Sequence, residues 1–380
     1  MKNKRVTLRD IASACGYHFS TVSLALRGDP SIPEATRCRI KDIASELGYS
    51  PDPVLSALVA YRQKRTSPDY AGTIIWLTNN SPGFHWRGFP HNRDYFSGAE
   101  KEAKERGFVL EELDLGTPGM NPARANQILN ARRINCLLVP PQQLSSRHME
   151  LDWNRYFAVA LGYSLPIPHL HLTSINHAGM MEELMEKLLN YGYQRPGLVL
   201  MNSLDQLAER KLAAAYLGEL YRNDGFISMA PLCIDTWNPE TFDRWFEEQK
   251  PDVLIGSSLV NPELLPHLST MGLRAPDDIG YADFNLSWQE NRYAGMKQNA
   301  EVIGGVAVSD LIRLFHRNEC GPLEGAAHQT LLDGTWYAGP TLREQKRQPG
   351  IFSSSGSSPG IAAWESFGRR KERCLRLKSG

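Results

Sequence analysis

From Ala71 onward, short apolar runs alternate with amphipathic segments, and this alternation limits the fold more than any other feature of the sequence. The runs GTIIWLT (72–78), FVLEELDL (108–115), CLLVPP (136–141), YFAVALGY (156–163), GLVLM (197–201), APLCI (230–234) and DVLIG (252–256) read as strands. Between them, YFSGAEKEAKERGF, NPARANQILNARR, HAGMMEELMEKLLNYGY and AERKLAAAYLGELYRNDGF read as helices. Repeated strand–helix alternation implies an α/β fold with parallel sheets covered on both faces. Roughly 270 residues of this pattern exceed one comfortable core, so two lobes joined by crossing strands are expected.

The first fifty residues have a different texture. Thr7 followed by Asp10 has the spacing of a capping box, and Gly16 supplies a left-handed helix end. A second short helix follows from about His18 to Leu26, with Val22 and Leu26 facing inward. GDPSIP interrupts the chain, Pro33 suits a first helical position, and EATRCRIKDIASELGY places Ile40, Ile43, Ala44 and Leu47 on one face. Three short helices with a glycine turn between the first two make a helix-turn-helix arrangement. The domains are therefore expected at 1–50 (headpiece), 51–68 (a short helix and linker), 69–343 (two-lobed body) and 344–380 (a Ser/Gly/Pro-rich basic tail expected to be disordered).

Charge supports this division. The chain has 42 Lys/Arg and 42 Asp/Glu. Residues 1–65 hold eleven of the former and six of the latter (+5), and residues 343–380 hold nine and three (+6), so the middle carries −11. A basic head on an acidic body points to a polyanion-binding module joined to something that does not bind polyanions. No run approaches the ~20 apolar residues of a membrane span, and no apolar segment follows the basic start, so a cytoplasmic location with no membrane partner is expected. The six cysteines lie far apart, without C-x-x-C, and read as reduced bystanders. Ten histidines show no metal-ligand spacing, and no nucleophile elbow, Walker loop or G-x-G-x-x-G follows a strand. No cofactor, metal or catalytic residue is expected.

Taken together, VTLRDIASACGYHFSTVSLALRGDPSIPEATRCRIKDIASELGYSPDPVLSAL resembles the DNA-binding headpiece and hinge of the lactose-repressor (LacI) family. More loosely, GYQRPGLVL, MGLRAPDDIGYADFN and MKQNAEVIGGVAVSDLI resemble segments of its body, to about Arg343. The resemblance implies a periplasmic-binding-protein-like pair of lobes with an effector in the cleft, and a homodimer on a pseudo-palindromic double-stranded DNA operator. A recognition helix enters the major groove with its N-terminal residues, so Phe19, Ser20 and Leu24 should face base edges. Leu24 replaces a frequent arginine, leaving only apolar contact such as thymine methyls. His18 stands where a serine cap is common. Thr7, Ser20, Thr21, Ser23, Arg37, Lys4 and Arg5 are candidates for phosphate contact. Leu58 takes the place of the hinge leucine that wedges into the minor groove, the alternative being packing within the hinge.

In the body, the long segment 79–96 carries Phe84, His85, Trp86, Phe89, Tyr95 and Phe96. These rings either stack on a ligand or pack against the opposite lobe, with Tyr95 and Phe96 the better pocket candidates. By resemblance, Arg210, Ser257, Asn285 and Gln298 occupy effector positions, and the serine and asparagine are departures from common family residues. A carbohydrate-responsive transcription regulator, a repressor, is the main reading. A transporter's solute-binding protein and an enzyme with a DNA anchor are the alternatives.

Overall fold

The computed structural model describes residues 6–26, 32–47, 49, 71–143, 149–322, 325 and 327–345. Lys4, Arg5, the hinge segment 51–68 with Leu58, and the tail from residue 346 lie outside the described residues.

Three helices form the N-terminal unit: α1 (Leu8–Cys15), α2 (Phe19–Leu26) and α3 (Glu34–Glu46). The capping box is reciprocal, with Asp10 N donating to Thr7 Oγ1 at 3.4 Å and Thr7 N donating to Asp10 Oδ2 at 2.8 Å. Gly16 closes α1 at φ +72°, a conformation that favours glycine. Ile11, Cys15, Val22, Ala25, Ile40 and Ala44 make the core. Leu26 packs against this core beside Val22 and Ala25. Two sequence expectations need correction: Leu47 is exposed because α3 ends before it, and Pro33 stands at the N-cap position, one residue before the helix. Thr7→Ala should cost the headpiece about 1 kcal/mol. The expected readout is faster amide exchange over residues 8–15, with protection in the body unchanged.

The body contains two six-stranded sheets with the same strand order. The first holds β1 (Gly72–Thr78), β2 (Phe108–Asp114), β3 (Cys136–Val139), β4 (Phe157–Leu161), β5 (His171–Ile175) and β11 (Gln329–Leu332), in the order β2-β1-β3-β4-β5-β11. The second holds β6 (Pro196–Met201), β7 (Leu232–Ile234), β8 (Val253–Gly256), β9 (Gly280–Leu286), β10 (Ala294–Lys297) and β12 (Thr335–Tyr337), in the order β7-β6-β8-β9-β10-β12. All pairs are parallel except β10 with β12. All seven strands expected from the apolar runs are present, most with shorter ends, and five more complete the sheets.

Alternate residues of β1 enter different cores: Ile74 and Trp76 one, Ile75 and Leu77 the other. Both faces of the sheet are therefore covered, as parallel sheets require. The covering helices are α4 (Pro90–Glu105), α5 (Pro122–Ala131), α6 (His177–Asn190), α7 (Asn202–Leu207), α8 (Lys211–Arg222), α9 (Pro239–Gln249), α10 (Asn261–Thr270) and α11 (Ala300–Arg317). α4 and α11 pack closely because Gly98 and Gly304 bring backbone against backbone at their crossing.

The chain passes between lobes three times, after β5, after β10 and between β11 and β12. Polar side chains stitch the crossings together. Asn176 Nδ2 donates to Asp333 Oδ1 at 2.9 Å, Asn299 Nδ2 donates to the Asp333 carbonyl at 3.0 Å, and Asn176 N donates to the Leu332 carbonyl at 2.7 Å. Among the described residues, no helix is long and apolar enough to cross a membrane, and no group of three His, Cys, Asp or Glu is placed to hold a metal ion.

Candidate nucleic-acid interface and effector cleft

On the headpiece, α2 buries Val22 and Ala25 and leaves His18, Phe19 and Ser20 exposed at its start. His18 itself supplies the cap that a serine would give. Its Nδ1 lies 2.8 Å from Ser20 Oγ and accepts from Ser20 N at 3.4 Å. Thr21, Ser23, Leu24 and Arg37 are half-buried, and Thr7 is exposed but engaged in its capping box.

In the body, the carboxyl ends of the strands converge at the lobe junction, where ligands of such sheets bind. A loop of hydrogen bonds crosses that junction. Tyr95 OH donates to Gln298 Oε1 at 2.9 Å, Gln298 Nε2 donates to Asn285 Oδ1 at 2.6 Å, and His91 Nε2 is 3.1 Å from the Asn285 carbonyl. A carbonyl can only accept, so the His91 proton sits on Nε2. His91 Nδ1 is then a buried acceptor with no partner among the described residues. Burial lowers the His91 pKa and raises that of the Tyr95 phenol, so both stay neutral.

Ser257 follows β8, is fully buried, and its Oγ has no hydrogen-bond partner among the described residues. Beside it, Asp283 accepts from Asn285 N at 2.7 Å and from Asn261 Nδ2 at 2.7 Å, while Tyr281 OH donates to Asn261 Oδ1. Burial pushes the Asp283 carboxyl up to about 7.

Arg210 sits just before α8. Glu209 and Arg210 have φ of +51° and +63°, a left-handed pair at about 1 kcal/mol or more each. The buried Asp205 offsets this strain: its carbonyl accepts from Arg210 N at 2.7 Å and its Oδ1 from Ala213 N at 3.2 Å. The Arg210 guanidinium is half-exposed, only 3.5 Å from Asp205 Oδ2 and 3.4 Å from Asn202 Oδ1, and so keeps donors free for a further acceptor. A second link between lobes is the Lys211 ammonium, 4.1 Å from the centre of the Tyr163 ring.

Tyr95, Asn285 and Gln298 thus come together, with Ser257 on the neighbouring strand end and Arg210 on a separate turn. Phe96 does not join them. It packs at 5.2 Å from Trp76 and 5.3 Å from Trp86, with the Arg87 guanidinium over its ring. The sequence pattern starts this helix at Tyr95, but α4 begins five residues earlier at Pro90, so Tyr95 and Phe96 point to different sides of a helix already formed. Proline at the first helical position was the available signal. Reading it would also have placed His91 one turn before Tyr95, on the same face. His91 and Asp283 were missed.

Residues 7–52 match the family described as "Bacterial regulatory proteins, lacI family". The chain is 23% identical over 305 residues to the HTH-type transcriptional regulator KdgR of Bacillus subtilis (strain 168), covering 75% of this chain and 84% of that protein. Among solved structures, it is similar to the transcriptional regulator CelR–cellobiose complex, with a TM-score of 0.54 at 18% identity over 89% of this chain and all of the other. It is likewise similar to the lac repressor dimer bound to operator and the anti-inducer ONPF, with a TM-score of 0.53 at 18% identity over 90% of this chain and all of the other. At such identities the structural likeness bears on the fold alone.

Proposed function

The chain belongs to the lacI family of bacterial regulatory proteins, and on that premise we propose that this transcriptional regulator is a dimeric, cytoplasmic repressor of a carbohydrate operon, released or engaged by a small effector. It is a regulator and not an enzyme, like the proteins it matches. In this reading residues 1–50 bind DNA, 51–68 form the hinge with Leu58 as the minor-groove wedge, 69–343 sense the effector and dimerise, and 344–380 form a basic tail. Two headpieces of a dimer meet a pseudo-palindromic operator.

The observation that carries the proposal is the hydrogen-bond loop through His91, Tyr95, Gln298 and Asn285, which ties the two lobes at the mouth of the cleft. An effector entering there must replace or rearrange these bonds, so it has differential affinity for two lobe arrangements, and that is what a switch needs. Ser257, Arg210, Asn285 and Gln298 offer hydroxyl, guanidinium and amide groups suited to a polyhydroxylated ligand. The cellobiose named with the similar CelR structure supports a sugar or sugar derivative.

The test is to select bound genomic fragments with the full-length protein, then titrate sugars suggested by the neighbouring genes against operator and protein together. An effector should shift operator affinity by about 5- to 150-fold. Arg210→Ala should weaken the effector by about tenfold or more while leaving effector-free operator binding intact. Independence of the two affinities would sink the regulatory reading. A secreted solute-binding role predicts sugar binding with no selected DNA.

A further inference from the structure

We propose that the headpiece reads its operator mainly through thymine C5-methyl groups, with Phe19 as the specificity-determining side chain. The inference rests on the DNA-binding reading above and adds the chemistry by which bases are told apart.

The eight residues of α2 are Phe-Ser-Thr-Val-Ser-Leu-Ala-Leu, with no Arg, Lys, Asn, Gln, Asp or Glu among them. Those absent side chains are the ones that form bidentate pairs with guanine or adenine, or accept from cytosine. The polar residue nearest the helix start is already engaged. Ser20 N donates to His18 Nδ1, which makes that nitrogen an acceptor, and the Ser20 hydroxyl 2.8 Å away sends its proton to the same atom. Ser20 thus retains acceptor capacity only, and His18, whose Nδ1 is taken up by these two contacts, has only Nε2 left to offer. The two can give single hydrogen bonds, without the directional pairing that separates one base pair from another.

What the helix start does present is apolar. Phe19 is 45% exposed, the most open large apolar side chain of the described headpiece, and Leu24 is half-buried further along. Neither belongs to the headpiece core, where Val22, Ala25 and Leu26 make the contacts of this helix. In the major groove, the feature that apolar surface recognises is the thymine methyl, which no other base carries. His18, by capping α2 through its ring, holds Phe19 at the first helical position while keeping the helix end satisfied.

The test uses the full-length protein and two pools of randomised duplex DNA, one made with thymidine and one with deoxyuridine, which lacks only the methyl. The thymidine pool should yield a symmetric site with thymine fixed at particular positions. Replacing each such thymine by uracil should weaken binding about fourfold per contacted methyl. Phe19→Ala should bind the selected site less well and lose its preference for thymine over uracil, while Phe19→Leu should retain part of that preference. Equal affinity for the thymine and uracil forms, or a preference that persists undiminished in Phe19→Ala, overturns the inference. Enrichment of nothing from either pool would instead overturn the DNA-binding reading itself, so the two failures are distinct.

Discussion

Gly98→Ala and Gly304→Ala should each destabilise the body by about 3 kcal/mol or more, at the upper end of what overpacking costs. A Cβ at Gly98 would stand 1.7 Å from the Glu301 carbonyl oxygen, and one at Gly304 would stand 2.0 Å from the Tyr95 carbonyl oxygen. Both obstacles are backbone, so no rotamer change relieves them and the two helices must separate. Separation opens the packing under β3, β4 and β5, where α11 covers the first sheet, and displaces Tyr95 from Gln298. Gly305 is the internal control. A Cβ there meets its nearest atom at 3.5 Å, an ordinary contact, and alanine favours a helix interior by about 1 kcal/mol over glycine. Gly305→Ala should therefore be neutral or stabilising. Urea unfolding followed by circular dichroism separates these cases, and because both obstructed glycines serve one crossing, the double variant should lose less than the sum. Equal midpoints for Gly98→Ala and Gly305→Ala would show that the crossing yields without cost.

Stability should also fall as pH rises from about 4 to about 7, through Asp283. Its carboxyl is almost fully buried, and desolvation outweighs the N–H groups of Asn285 and Asn261, placing its pKa at about 7. The unfolded value is about 3.9. Between the two, the folded chain holds a proton that the unfolded chain has lost, so each unit of pH favours the unfolded state by up to about 1.4 kcal/mol. Below the window both states are protonated and above it both are ionised, so the contribution is flat at either side. Asp283→Asn should remove this part of the slope while keeping an acceptor toward Asn285 N. Urea midpoints taken from pH 5 to pH 8 on both proteins test it, and an unchanged slope in the variant would assign the titration elsewhere. Because Asp283 also holds the backbone of Asn285, its ionisation is felt at the bond loop that joins the lobes.

Much of this was legible in one dimension because it depends on short-range periodicity. Thr7 and Asp10 lie three residues apart and cap α1 with no help from distant parts of the chain. The apolar runs 72–78 and 197–201 must lie between covered faces wherever the sheet is built. The basic headpiece and the turn at Gly16 are equally local. The cleft was only partly legible. Tyr95 was picked out as an aromatic ring of the segment 79–96, and Asn285 and Gln298 by resemblance, yet nothing in their spacing showed that one amide would bridge a phenol on one lobe and a strand end on the other. His91 and Asp283 were invisible for the same reason. A histidine on an amphipathic helix and an aspartate in a strand acquire their character only when burial removes water from them, and burial is set by which segments meet. Phe96 shows the converse: its aromatic neighbours in sequence suggested a pocket, but the start of α4 at Pro90 turned it into the core beside Trp76 and Trp86. The sequence by itself determined the elements, their two textures and the family of the headpiece, since those follow from residue periodicity and backbone preference. Only the tertiary structure decided which polar groups face each other across the lobes, because desolvation and hydrogen-bond geometry exist only after the chain has crossed between them.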